Sequence, residues 1–284
     1  MRVLVLGASG MLGSAIFRLF SKTVGCEVFG TVRSSRAAGL LPSELRTLLI
    51  PGVDVEHYDG LARAIDLARP NVVINSVGVV KQLAEADDPL AALPINALLP
   101  HRLARLCALA GARLVHVSTD CVFSGAKGGY LETDFPDAND LYGRSKYLGE
   151  VDYPHAITLR TSIIGHELDG ARSLLNWFLA QAGMVRGFRK AIFSGVPTVE
   201  LARIIRDHVL PNPHLHGLYH VSADPISKYD LLLLVAAAYG KDTTVTPDDS
   251  LVIDRSLNSE RFRKATGYQP EPWPTLVQGM HTFG

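Results

Sequence analysis

Two residues one helical turn apart could carry proton chemistry: Tyr142 and Lys146, in the run Tyr142-Gly143-Arg144-Ser145-Lys146. A spacing of four places both side chains on one face of a helix. An unperturbed phenol has a pKa of about 10 and is a poor base at neutral pH. A neighbouring ammonium favours the phenolate and lets the ring exchange a proton with a carbonyl or an alcohol. Taken alone, the pair fits any amphipathic helix. Upstream, Val117-Ser118-Thr119-Asp120-Cys121-Val122-Phe123 reads as the carboxyl end of a strand, where ligands of open α/β sheets bind. Thr119 is the hydroxyl that could hold a substrate carbonyl beside the tyrosine, with a strand-ending turn residue as the plainer alternative.

A second motif supplies a partner for that proton. Gly7-Ala8-Ser9-Gly10-Met11-Leu12-Gly13 lies between a short apolar run and a helical pattern. In that place one glycine allows the tight turn, one lets the backbone approach a pyrophosphate, and one lets helix and strand pack closely. The helix N-terminus then meets the phosphates with free N–H groups. Ser9, Met11 and Leu12 fall within the same loop, and the strand-loop-helix context predicts a dinucleotide. In a nicotinamide dinucleotide site that prefers NAD, an acid about 20 residues on bonds the ribose hydroxyls. Here the corresponding stretch is Thr31-Val32-Arg33-Ser34-Ser35-Arg36. Its guanidinium groups suit a 2′-phosphate, so NADP(H) is the expected cofactor; the alternative for Arg33 and Arg36 is a solvated loop. Asp54, with Val55 beside it, is a candidate for the adenine amino group or else a surface carboxylate. Asn75-Ser76-Val77-Gly78 ends a further strand, where small residues let a cofactor approach.

Positioning these residues requires strands and helices in alternation, and the first half of the chain has them. Arg2 to Leu6, Glu27 to Val32, Asn71 to Val77 and Arg113 to Ser118 are strand-like, while Met11 to Phe20, Asp59 to Ala68 and Ile95 to Ala110 have helical spacing. Strands apolar at nearly every position imply burial on both faces of a parallel sheet. The expected fold is therefore α/β, a doubly wound parallel sheet of the Rossmann kind. Beyond Arg160 glycine, proline and histidine become frequent, and Leu174 to Gln181 and Lys228 to Tyr239 read as helices, the latter capped by Ser227 and stopped by Gly240. Val199 to His208 followed by Leu218 to Ser222 reads as helix then strand. The expected division is a nucleotide-binding domain over 1–160, rejoined by about 194–223, and a smaller α/β substrate-binding lobe over 161–193 and 224–284.

Composition narrows the classes. The 284 residues are 47% hydrophobic, and Lys+Arg equals Asp+Glu at 28 each, which gives no electrostatic footprint for nucleic acid or an anionic membrane. The apolar run before Gly7 is too short for a secretory signal, and Leu231 to Tyr239 falls short of a membrane span. Cys26, Cys107 and Cys121 form no disulfide or zinc pattern, and the histidines of His214-Leu215-His216-Gly217-Leu218-Tyr219-His220 have no nearby Cys or carboxylate, so no metal is expected. A reducing cytoplasm is the expected setting.

In this order the glycine loop, the Asn-x-x-Gly turn, Ser118-Thr119-Asp120 and Tyr142 to Lys146 resemble the extended short-chain dehydrogenase/reductase family. Leu159-Arg160-Thr161-Ser162, Tyr219-His220-Val221-Ser222 and Arg255-Ser256-Leu257-Asn258-Ser259 extend the likeness, over essentially the whole chain, to its dTDP-4-dehydrorhamnose reductase group. The resemblance implies a catalytic set of Thr119, Tyr142 and Lys146, with Lys146 also bonding the nicotinamide ribose and a nucleotide-diphosphate sugar held between the lobes. It implies reduction of the C4 keto group of a nucleotide-linked 4-keto-6-deoxyhexose in polysaccharide or deoxysugar biosynthesis. Lys81, Asp120, His166 and Arg255 are candidates to touch that substrate; Lys81 and His166 could equally be loop residues, and Arg255 an interlobe salt bridge. Two positions depart from the pattern: Ile163 stands where the rhamnose-pathway enzymes usually carry an aromatic residue, and Cys121 where related 4,6-dehydratases carry Glu. The thiol disfavours dehydration. An epimerase that retains its cofactor remains an alternative, as does a non-catalytic NADP-binding regulatory subunit like that of methionine adenosyltransferase. A homodimer is compatible with the sequence, which leaves the oligomeric state open.

Overall fold

The computed structural model describes the backbone of residues 1–284 and the side chains of all of them except Ala84. Each β-branched run of the first half forms a strand, followed by a helix that crosses one face of the sheet. β1 (Arg2–Leu6) leads into α1 (Met11–Phe20), β2 (Glu27–Val32) into α2 (Ser35–Gly39), and β3 (Leu49–Pro51) into α3 (Tyr58–Ala68). β4 (Val72–Asn75) is followed by α4 (Pro89–Ala92), a π-helical stretch over Leu93–Leu98, and α5 (Leu99–Ala110). β5 (Arg113–Thr119) is followed by α6 (Leu141–Leu148), then β6 (Ala156–Thr161) and β7 (Ile163–Ile164). The chain continues through α7 (Leu174–Leu179), β8 (Met184–Phe188), β9 (Ala191–Phe193), β10 (Val196–Pro197), α8 (Thr198–Ile204) and β11 (Gly217–His220). It closes with β12 (Ile226–Ser227), α9 (Lys228–Tyr239), β13 (Thr244–Asp248), β14 (Ile253–Asp254), α10 (Glu260–Thr266) and α11 (Trp273–Phe283).

Seven strands make one parallel sheet in the order β11-β6-β5-β4-β1-β2-β3. The strand alternation explains its two-sided core: Val3 and Val5 pack on one face with Phe17 and Phe20 of α1, and Leu4 and Leu6 on the other with Leu61 of α3 and Leu103 of α5. Strand order reverses between β1 and β4, which opens a crevice at their carboxyl ends. Away from this sheet β13 pairs with β8, and β9 lies between β12 and β14. Ser227 caps α9 by accepting a hydrogen bond from the Asp230 N–H at 3.0 Å, and Gly240 ends it with a φ of +60°. No described helix is long and apolar enough to cross a membrane.

Several boundaries differ from the sequence expectation. The strand expected to reach Val77 stops at Asn75, because the Asn75 side chain accepts the Val77 N–H at 3.1 Å and turns the chain out of the sheet. The helix expected from Ile95 begins as a π turn, a feature common at functional sites. The third strand expected before Asp54, whose bounds the sequence did not define, is β3, too short to show a periodicity. The expected helix through His208 likewise changes to π geometry at Ile205.

Candidate active site

The glycine loop is shaped by contacts with no room for side chains. Gly7 has a φ of +80°, which favours glycine, and a Cβ on Gly13 would lie 2.0 Å from the Gly7 carbonyl oxygen. The same Cβ would lie 2.7 Å from Ser76 Oγ, which donates to the Leu6 carbonyl at 2.5 Å. β1, the turn after β4 and the start of α1 are thus locked together, and Gly10, Met11 and Leu12 at that start line the crevice.

Two adjoining cavities share Gly10, Ser76, Val77, Gly78 and Val79. One, of 320 Å³, is lined by Ser9, Arg33, Asp54 and Val55 among others and could hold the adenosine end of a dinucleotide. Arg33 is exposed on its wall, whereas Arg36 pairs with Asp169 at 3.2 Å. Asp54 lies 3.5 Å from His57 Nδ1 and accepts the Glu56 N–H. The other cavity, of 330 Å³, is lined by Met11, Leu12, Thr119, Cys121, Tyr142 and Lys146 among others.

The tyrosine and the threonine meet because α6 sits directly on the turn after β5. A Cβ on Gly143 would come within 2.3 Å of the Cys121 carbonyl oxygen, so only glycine permits this approach. Asp140 caps α6, accepting the Gly143 N–H at 2.7 Å through one oxygen and the Lys81 ammonium at 2.5 Å through the other. Thr119 accepts the Cys121 N–H at 3.1 Å and donates to Asp120 at 3.2 Å. Burial pushes the Tyr142 phenol well above its ordinary pKa, Cys121 adds to the rise, and the Thr119 hydroxyl opposes it. Burial likewise raises the Asp120 carboxyl and pushes the Cys121 thiol up to about 12. Lys146 is buried, donates to the Val117 carbonyl at 2.9 Å, and is brought down to about 8 by desolvation, which Glu150 partly offsets.

Beneath the cavity lined by Tyr142 and Lys146 runs a polar network that sequence reasoning missed. Glu150 accepts Ser118 Oγ at 2.7 Å and both Nε and Nη2 of Arg160, at 2.8 and 2.5 Å. Arg160 is 1% exposed, and its Nη1 meets His220 Nε2 at 2.9 Å. Since the guanidinium only donates, Nε2 accepts and Nδ1 carries the proton toward the carbonyls of Tyr130 and Asn258. Burial, then the Arg160 charge, push His220 down to about 3. The spacing of four from Lys146 to Glu150 is no helical signal, because α6 ends at Leu148 and Glu150 lies beyond its cap at Gly149. Asn96, on the π turn, was also missed. It accepts the Val79 N–H at 2.9 Å and donates to Val79 O and Ser145 Oγ, pinning the loop that joins the two cavities. Its sequence neighbourhood gives no sign of this.

Not every candidate reaches the cleft. Lys81 and Asp120 line the cavity that holds Tyr142 and Lys146. Asn75 is fully buried and bonds His116 and the Val77 N–H, so it shapes the turn and does not line a wall. Arg255 lies behind the Cys121 turn, donating to the Phe123 carbonyl at 2.8 Å with Nη1 3.9 Å from Cys121 Sγ. His166, expected on the cleft side, is elsewhere: its Nε2 is 2.8 Å from the Tyr239 hydroxyl, and Tyr239 packs on His281. The cause is Gly165, whose missing Cβ lets the chain run against Thr198 of α8 and carries His166 toward α9 and α11.

A doubly wound sheet with a phosphate-type glycine loop and a Thr-Tyr-Lys set at its carboxyl edge defines an extended short-chain dehydrogenase/reductase. More narrowly, the chain belongs to the family described as "RmlD substrate binding domain", which matches residues 1–280. Across 99% of both chains it is 26% identical to a dTDP-4-dehydrorhamnose reductase of Aggregatibacter actinomycetemcomitans. It is also 26% identical to the methionine adenosyltransferase 2 subunit beta of Mus musculus, over 97% of this chain and 88% of that one. Among solved structures, a hypothetical dTDP-4-dehydrorhamnose reductase from Sulfolobus tokodaii matches with a TM-score of 0.77 and 27% identity, over 96% of this chain and 98% of that one. The dTDP-4-dehydrorhamnose reductase of Bacillus anthracis, solved in complex with NADP, shares the fold with a TM-score of 0.79 at 21% identity, over 99% and 98% of the two chains.

Proposed function

We propose that the chain is an NADPH-dependent reductase that converts the C4 keto group of a nucleotide-linked 4-keto-6-deoxyhexose to an alcohol. The observation that carries this reading is the convergence of Thr119, Tyr142 and Lys146 on a cavity that adjoins the dinucleotide-type cleft. NADPH, when bound, supplies the hydride. Tyr142, its phenol kept protonated by burial, delivers the proton to the carbonyl oxygen, and the Thr119 hydroxyl, turning from Asp120 when substrate binds, donates a hydrogen bond to that oxygen. Lys146 in its ammonium form holds the nicotinamide ribose and favours the phenolate that remains. A solvent proton then restores the phenol. Cys121, a neutral thiol on the same wall, offers no acid for a dehydratase step. Arg33 receives the 2′-phosphate. The sugar binds against Lys81 and Asp120, with 161–193 and 224–284 as the substrate lobe, in a cytoplasmic route of carbohydrate biosynthesis.

The test is to supply purified protein with NADPH and a panel of dTDP- and UDP-linked 4-keto sugars, following absorbance and product mass. A reductase consumes one NADPH per sugar and adds two hydrogens. Isomerised sugar without NADPH loss would indicate an epimerase with retained cofactor. An unchanged panel would favour a non-catalytic subunit of a larger enzyme; one relative, in Mus musculus, is a methionine adenosyltransferase 2 subunit beta.

A further inference from the structure

A third cavity, of 250 Å³, lies against the glycine loop and is lined by none of Thr119, Tyr142 and Lys146. Ser9, Gly10 and Met11 form its loop wall, and Glu167, Asp169 and Arg172, from the segment before α7, face them. Gly10 and Met11 also line the catalytic cavity, and Ser9 and Gly10 the adenosine cavity. The three spaces therefore meet at the start of α1, where a dinucleotide diphosphate sits in a sheet of this kind. Met11, Leu12, Gly13 and Ser14 bring no charge to that point. The helix dipole alone supplies roughly half an elementary charge, well short of two phosphates.

Of the ionised groups on this cavity, the acids are already engaged. Glu167 accepts the Arg172 N–H at 2.8 Å and the Ser173 N–H at 3.1 Å, and Asp169 pairs with Arg36. The Arg172 guanidinium has no hydrogen-bond or ion-pair partner among the described residues. Its segment is nonetheless braced: Asn176 accepts the Glu167 N–H at 3.1 Å and donates to the carbonyls of Glu167 and Gly170. A charged side chain left unpaired on a fixed backbone, facing a phosphate-type loop, is placed for an anion.

We propose that Arg172 binds the diphosphate of the dinucleotide, carried to it by the 167–173 segment, which the Arg36–Asp169 pair ties to the nucleotide half of the molecule. This rests on the dinucleotide reading of the glycine loop but not on the identity of the sugar. The same guanidinium chemistry would suit the diphosphate of a nucleotide sugar; the shared Ser9, Gly10 and Met11 wall favours the cofactor.

Equilibrium titration at fixed salt with three probes decides it: 2′-phospho-ADP-ribose, adenosine 2′-monophosphate and dTDP. Arg172→Ala is expected to weaken 2′-phospho-ADP-ribose by about 10- to 100-fold, the scale of a hydrogen bond to a charged group. It should leave the 2′-monophosphate and dTDP unchanged, with Arg172→Lys intermediate and the melting temperature unaltered. Unchanged affinity for 2′-phospho-ADP-ribose would overturn the assignment, as would equal losses for both adenosine ligands or a loss confined to dTDP. Failure of the unsubstituted protein to bind either adenosine ligand would overturn the dinucleotide reading itself, a result distinguishable from the others.

Discussion

The two halves of the cleft are built by opposite means. The adenosine half is made of backbone: a glycine at positive φ, a second glycine against a carbonyl oxygen, and N–H groups at a helix start, with Arg33 exposed at its edge. The half that holds Tyr142 is made of buried and half-buried side chains whose charges depend on one another: Lys146 desolvated, Tyr142 held neutral, and Glu150 clamped by Ser118 and Arg160. A backbone site tolerates the loss of a neighbouring side chain. A desolvated network does not, because each group it loses leaves another without its partner.

That contrast can be tested from its strongest consequence downward. Tyr142→Phe keeps the ring and removes the proton donor, so turnover should fall by about 10²- to 10⁴-fold while nucleotide-sugar binding changes little; steady-state kinetics beside a binding titration separate the two. Glu150→Ala leaves Arg160 charged and unpaired in the interior, and chemical denaturation should show a loss of about 3–5 kcal/mol. The matching change in the other half, Arg33→Ala, should stay within about 0.5 kcal/mol of the parent in the same denaturation. Equal losses would erase the distinction between the halves.

A pH profile sharpens it further. With Lys146 brought down to about 8, its ammonium is present below that pH and is lost as pH rises through it. Tyr142, raised by burial, keeps its proton over the same range. The ratio kcat/KM for reduction should therefore decline above about pH 8, and a flat profile to pH 10 would remove the role given to the lysine. The smallest effect belongs to the adenosine edge: Arg33→Ala should weaken NADPH by about tenfold, consistent with one exposed charge-assisted contact, and leave NADH unaffected. Calorimetric titration of both cofactors reads this directly.

Much of this molecule was legible one segment at a time. The glycine loop, the Tyr142 and Lys146 spacing, the cap at Ser227 and the stop at Gly240 are local, because the reason for each residue lies within a few positions of it. Apolar runs buried on both faces gave the parallel sheet for the same reason. What only the tertiary structure decided joins residues far apart in the chain. Gly143 is required by a carbonyl 22 positions earlier, Asn96 by the backbone of Val79, and Glu150 by Ser118 and Arg160. His166 follows a strand and reads as a cleft residue, yet the packing of Gly165 against Thr198 sends it to the far helices. Sequence alone determined which groups could perform the chemistry; long-range packing and desolvation decided which of them meet and in what charge state, since both depend on neighbours that no local window contains.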